Sequence, residues 1–115
     1  AEKMTKEELY KEINDDFIAC GDFYSAIGNE TRQAIVVSLM KAGSQGVRVG
    51  ELTKDCHLSR PAVSHHLKIL KDAGVAHIRK EGTMNYYYLC IRDLLPMLEK
   101  SYKDVMAFVD LMDKE

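Results

Sequence analysis

The chain has 115 residues, of which 46 % are hydrophobic and 30 % charged, with a net charge of −2 at pH 7; this is the composition of one globular domain, too short for two full cores. No apolar run approaches the ~18 residues of a membrane-spanning helix, and the opening AEKMTKEEL holds no apolar signal core, so the expected location is the cytoplasm. Cys20, Cys56 and Cys90 are odd in number and form no CxxC pair, which speaks against a disulfide framework and fits a reducing compartment.

Thr5-Lys6-Glu7-Glu8 has the pattern of a capping box and predicts a first helix starting there. Leu9, Ile13 and Phe17 recur every four residues and form one apolar stripe. Gly21-Asp22 is expected to break or kink this helix, with Phe23, Tyr24 and Ile27 continuing a short helical piece. Asn29 is a good N-cap for the next helix, and Glu30 suits its dipole. That helix should run through Ile35, Val36, Leu39 and Met40 to a stop at Gly43, followed by a Ser44-Gln45-Gly46 loop. A short helix with Leu52 inward is predicted from Val49 to about Cys56, then a tight turn at His57-Leu58.

Ser59 caps the following helix, where Pro61 is tolerated because a first turn does not need its N–H, and Gly74 ends it. Val75 to Lys80 reads as a strand, Glu81-Gly82-Thr83 as a turn, and Met84 to Cys90 as the return strand. Tyr87 and Leu89 then share one face, Tyr86 and Tyr88 the other. A last helix is predicted from about Asp93 to Met112. Its apolar positions Leu94, Leu98, Tyr102, Val105, Val109 and Met112 form a nearly heptad seam.

Charge is unevenly spread along this series. Residues 1–31 carry net −5, residues 32–83 net +5 with all four histidines, and residues 84–115 net −2. A basic centre between acidic ends is an electrostatic footprint for a polyanion. On the Ser59–Gly74 helix, at about 100° per residue, Val63, Leu67 and Leu70 make the inward stripe. Pro61, His65 and Lys68 land opposite, with Arg60 and Ser64 on one flank and His66 near the edge of the stripe on the other. This outer face is free of acid up to Lys68, which suits approach to phosphates and base acceptors. Arg60 is placed for a bidentate guanine contact, and Ser64 or His65 can donate or accept in the major groove. Ser59 sets free helix N–H groups towards a phosphate. Arg79, Lys80 and Thr83 surround the hairpin tip, from which they can reach a neighbouring groove or the backbone. Ser59 is also an ordinary cap, and His66 is equally readable as a packing histidine.

The segments AIGNETRQAIVVSLMKAG, SRPAVSHHLKILKDAGV and IRKEGTMNYYYL resemble, in that order, the opening helix, the recognition helix and the wing of the ArsR/SmtB family of bacterial winged-helix repressors. The resemblance spans roughly residues 26–89. It implies a homodimer on a palindromic operator in double-stranded DNA, a promoter blocked by occlusion, and release by a ligand bound elsewhere. Some members of that family sense metals. The family position for a Cys-x-Cys pair holds Arg48 and Gly50 here, and the last helix offers only the oxygens of Asp104, Asp110, Asp113 and Glu115, read as solvated charge. No metal and no cofactor is therefore expected. Cys20, Cys56 and Cys90 remain as candidates for thiol or redox sensing, against the ordinary case of free cysteine as a small buried apolar residue.

No phosphate-binding glycine loop, nucleophile elbow or HExxH occurs, so no enzyme is expected. The expected architecture is a mainly α (α+β) winged helix-turn-helix with a two-stranded β-wing. Residues 1–115 form a single domain, in which 26–90 hold the helix-turn-helix and wing. Residues 1–25 and 93–115 are dimerisation helices, through Leu9, Ile13, Phe17, Leu94, Leu98, Tyr102, Val105 and Val109. The expected function is a sequence-specific DNA-binding regulator. The alternative is a winged-helix protein-interaction module without DNA binding.

Overall fold

The computed structural model describes residues 4–115. Thr5 and Glu8 satisfy each other's backbone donors: Glu8 N–H donates to Thr5 Oγ1 at 3.1 Å and Thr5 N–H to Glu8 Oε1 at 3.0 Å. Two of the orphan donors at a helix start are thereby paired, and α1 runs over Lys6–Ile27. It passes through Gly21 without interruption, so the break expected at Gly21-Asp22 does not occur. A single glycine costs a helix interior only about 1 kcal/mol, and helical period continues on both sides of it.

Asn29 Oδ1 accepts from Arg32 N–H at 2.9 Å and opens α2, Glu30–Ala42. Gly43, at φ 66°, stops it, and a 3₁₀ turn over Gly43–Gln45 stands where a plain loop was expected. The helix α3, Val49–Cys56, ends on His57 in the left-handed region at φ 54°. Ser59 Oγ accepts from Ala62 N–H at 3.3 Å and opens α4, Arg60–Asp72. The hairpin pairs β1, Ala76–Glu81, with β2, Met84–Leu89, antiparallel, with Ile78 opposite Tyr87 and Arg79 opposite Tyr86. The last helix, α5, covers Leu95–Asp113. It begins two residues later than expected because no side chain caps it, and Pro96 sits in its first turn.

These elements form the expected mainly α winged helix-turn-helix with a two-stranded wing. Packing groups the chain into two compact units, one from the chain up to Gly21 together with Arg92–Glu115, the other from Asp22–Ile91. In the second unit, α2 contributes Ile35, Val36 and Leu39, α3 contributes Leu52, and α4 contributes Val63, Leu67 and Leu70, all buried. Val75 and Ala76 carry the core into the wing. Val47 and Tyr87 add a two-bond bridge, each N–H donating to the other's carbonyl at 2.8 Å. Gly46 makes this approach possible: its φ is 77°, and a Cβ there would lie 2.8 Å from Tyr87 O.

The first unit is built differently. Leu9 and Cys20 are buried, as are the polar Asp16 and Ser101. Tyr10 meets Phe108 with ring centroids 6.0 Å apart, and Lys6 pairs with Glu115. Much of the expected apolar seam lies open: Phe17 is 54 % exposed and Tyr102 66 %, and Val105 and Val109 are also exposed, while Ile13, Leu94 and Leu98 are half-buried. Among the described residues, no helix is long and apolar enough to cross a membrane.

Candidate nucleic-acid interface

The helix α4 is positioned by its own stripe. Val63, Leu67 and Leu70 are fully or almost fully buried, which turns Arg60, Ser64, His65 and Lys68 outward and leaves all four exposed. Ser59, also exposed, presents the helix N-terminus on the same side. The outer face expected from the helical period therefore exists as one surface. Lys68 is tethered by Asp72, Nζ to Oδ2 at 2.7 Å. That ion pair is exposed on both sides, and such pairs are weak enough to yield to a phosphate.

His66 does not belong to that surface. It is half-buried, and its Nδ1 lies 3.3 Å from Arg32 Nη1. Burial, then the neighbouring charge of Arg32, then that of His65, hold its pKa below the usual histidine value. Arg32 also donates from Nε to Ala26 O at 2.7 Å and from Nη2 to Ser25 O at 3.3 Å. The end of α1 has no basic residue of its own in its last turn, and its orphan carbonyls are met by α2: Arg32 takes two, and Gln33 Nε2 donates to Ile27 O at 2.8 Å.

In the wing, Lys80 and Thr83 are exposed beside the tip. Arg79 is engaged elsewhere. Its guanidinium donates to Ser44 O at 3.1 Å, Gln45 O at 2.7 Å and Glu81 Oε1 at 2.9 Å, and lies 5.2 Å from the Tyr86 ring centroid. It anchors the wing to the 3₁₀ turn. Tyr86 and Tyr88 accordingly pair with Arg79 and His77 across the strands, while Tyr87 pairs with Ile78. His77 stacks on Tyr88 at 5.7 Å.

Two arrangements were missed in the sequence. Arg48, Lys54 and Arg60 line one shallow cleft with Gly50 and Glu51 at the start of α3 and α4. The signal was available, since Arg48 and Lys54 lie in the basic block, but only the fold brings them beside Arg60. The second lies between α1 and α5. Lys100 Nζ donates to Glu12 Oε2 at 2.7 Å, Asp16 Oδ1 at 2.8 Å and Asp104 Oδ2 at 2.8 Å. The three carboxylates lie within 4.8 Å of one another, with the ammonium as their common cation. Asp104 is thus not the solvated charge expected; its side chain is only 17 % exposed. Burial, and then its hydrogen bond to Asp104, push the Asp16 carboxyl above the usual range. Hydrogen bonds from Asp16 and Lys100 hold Asp104 below it. The same carboxylates raise Lys100, Asp104 contributing most. Of the other acidic candidates on or beyond α5, Asp110, Asp113 and Glu115 are exposed.

The cysteines are all free. Cys20 is fully buried, Cys90 is exposed, and the half-buried Cys56 has its Sγ 3.9 Å from Ser38 Oγ.

Comparison with known proteins agrees with this architecture. Residues 29–77 match the family model of bacterial regulatory proteins of the arsR family. The chain is 36 % identical over 91 residues to the uncharacterized HTH-type transcriptional regulator MJ1325 of Methanocaldococcus jannaschii, covering 77 % of this chain and 89 % of that one. It is 36 % identical over 66 residues to the transcriptional repressor SdpR of Bacillus subtilis, covering 57 % of this chain and 70 % of the repressor. Among solved structures, reduced HlyU from Vibrio cholerae superposes with a TM-score of 0.64 at 29 % identity, over 77 % of this chain and 90 % of HlyU. With a capped, basic recognition helix, a β-wing and these relatives, the chain belongs to the ArsR family of DNA-binding transcriptional regulators.

Proposed function

We propose that the protein is a cytoplasmic homodimeric repressor that occludes a promoter by seating two α4 helices in successive major grooves of a palindromic operator. The observation that carries the reading is the exposed, acid-free outer face of α4 at Arg60, Ser64 and His65, continuous through Arg60 with the basic cleft of Arg48 and Lys54. Arg60 pairs with a guanine edge, and Ser64 and His65 read neighbouring bases. Lys68, Arg48, Lys54 and the α4 N-terminus at Ser59 hold phosphates. Lys80 and Thr83 at the wing tip grip the flanking groove, while Arg79 keeps the wing in place. The likeness to SdpR, a named repressor, supports repression as the direction of regulation.

Dimerisation is assigned to the α1–α5 unit. Phe17, Tyr102, Val105 and Val109 expose apolar surface there, and apolar patches of several hundred Å² are uncommon on monomers. Two copies place two recognition helices about one helical turn of DNA apart, or a multiple of it.

The test is retention of the purified protein on DNA from immediately upstream of its own gene, against a random duplex, across a salt series. Tight, competitor-resistant binding to the upstream DNA is expected. Equal, weak binding to both duplexes would mean that the α4 face does not read sequence.

A further inference from the structure

Arg32 occupies the N3 position of α2, where Asn29 fixes its backbone. From there its guanidinium joins three acceptors that no single element owns: the Ser25 and Ala26 carbonyls at the end of α1, and Nδ1 of His66 on α4. Guanidinium is only a donor, so His66 Nδ1 must be the acceptor and the ring proton must sit on Nε2. Only neutral imidazole can do this.

We propose that Arg32 and His66 act as positioning residues for the recognition helix, and that the pair makes sequence discrimination by this regulator sensitive to acid. The proposal rests on the reading of α4 as the DNA-contacting helix. His66 lies on the inner flank of α4, one position after the outward His65 and one before the buried Leu67. Its bond to Arg32 fixes the rotation of α4 about its own apolar stripe, which sets where Arg60, Ser64 and His65 point. Protonation puts hydrogen on Nδ1, removes the lone pair, and leaves two cations with their nitrogens 3.3 Å apart. The charged groups acting on His66 are Arg32 from α2 and His65 on its own helix, both of which oppose a positive charge. No carboxylate is among the groups that shift it. The neutral form is therefore favoured in the fold; the contact is complete above the ordinary histidine pKa of about 6.5 and is lost as pH falls through the lower, folded value.

The consequence is specific in kind. Protonated His66 adds positive charge, so general attraction to phosphate is kept or strengthened. What is lost is the placement of base-reading side chains, where displacements of even ~1 Å matter. Acid should erode discrimination rather than affinity for DNA as such.

The probe is the duplex that the wild-type protein enriches from a random library at about pH 7.5, where histidine is neutral, compared with an unselected duplex. Between that pH and about pH 5, with the fold monitored by circular dichroism, the selected-to-unselected affinity ratio of the wild type should fall about tenfold, the worth of one charge-assisted hydrogen bond. His66→Asn keeps an acceptor oxygen near the Nδ1 position and cannot titrate; its ratio should stay within about twofold of the wild-type neutral value at both pH values, which is within the scatter expected of single-contact effects. Arg32→Lys, which cannot bridge three acceptors, should lower the ratio at both. Nitrogen NMR of the imidazole should show the Nε2–H tautomer of His66 at neutral pH. A wild-type ratio that falls in parallel with that of His66→Asn, or an Nδ1–H tautomer, would overturn the proposal. A wild type with no preference for any duplex at neutral pH would overturn the DNA-reading assignment beneath it.

Discussion

The two compact units handle apolar surface in opposite ways. In Asp22–Ile91, the large aliphatics of α2, α3 and α4 close on one another: Ile35, Leu39, Leu52, Val63 and Leu70 have no exposed surface. The residues that remain outside on α4 are polar and basic. In the unit of α1 and α5, the buried residues include the carboxylate of Asp16, which meets the exposed Lys100, while Phe17, Ile18 and Tyr102 are more than half exposed. A region that buries charge and exposes aromatics is built to meet something apolar, and a region that buries aliphatics and exposes cations is built to meet a polyanion. One chain thus carries two surfaces of different chemistry, an open apolar one, proposed above as the dimer seam, and a basic one for DNA.

The contrast can be broken most forcefully in the closed core. Leu70→Ala should cost about 2–5 kcal/mol by urea unfolding, the range for emptying a fully packed leucine site. Tyr102→Ala, at an exposed position, should change the stability of the monomer by less than about 0.5 kcal/mol. Similar costs at the two sites would erase the distinction between the units. The next largest effect concerns association. Phe17→Asp places a charge on the open apolar face and should weaken the dimer by about 2 kcal/mol or more, the scale of an interface anchor. Sedimentation equilibrium should show the proposed dimer for the wild type and monomer for this variant, and a dimer unchanged in the variant would move the interface elsewhere.

A smaller effect sharpens the picture of the DNA-facing unit. His57 adopts φ 54° at the end of α3, a conformation that costs a residue with a Cβ about 1–2 kcal/mol. After the added flexibility of glycine in the unfolded chain is set against this, His57→Gly should raise stability by about 0.5–1 kcal/mol, read from the urea midpoint. The smallest expected effect concerns the three carboxylates around Lys100. Asp16 has a raised pKa in the fold, so its favourable contribution is present at low pH and is lost as pH rises through the folded value. Asp16→Asn keeps an oxygen for Lys100 and adds a donor for Asp104, so it should gain on the wild type as pH rises from about 4 to 7. Thermal unfolding at the two pH values checks the sign, and a gain confined to low pH would show that Lys100 needs its third carboxylate.

Much of the frame could be read from local pattern, because its determinants are local. The caps at Thr5, Asn29 and Ser59 act within three residues, and the stripe of Val63, Leu67 and Leu70 follows from helical period alone. The outward direction of Arg60, Ser64 and His65 came with that stripe. What stayed hidden depends on partners distant in sequence. Arg79 meets carbonyls 34 and 35 residues away, so a side chain expected beside the tip of the wing also ties the wing to the 3₁₀ turn. His66 meets Arg32 across 34 residues, a partner that the position of His66 at the edge of the stripe did not name. Lys100 reaches Glu12 across 88, and nothing in the spacing along α5 pointed to the end of that reach. Period tells which way a side chain turns; it does not tell what waits there. Gly21 failed for a different reason, because a residue that permits a break does not demand one.

The most direct test of the central claim, that the outer face of α4 reads DNA sequence, is the affinity of Arg60→Ala for the enriched duplex and for an unselected one across a salt series. The account predicts a loss of about 1–3 kcal/mol on the enriched duplex and a smaller loss on the unselected one, so that discrimination falls. Unchanged discrimination, with Arg60 contributing only to the salt slope or to nothing, would contradict it.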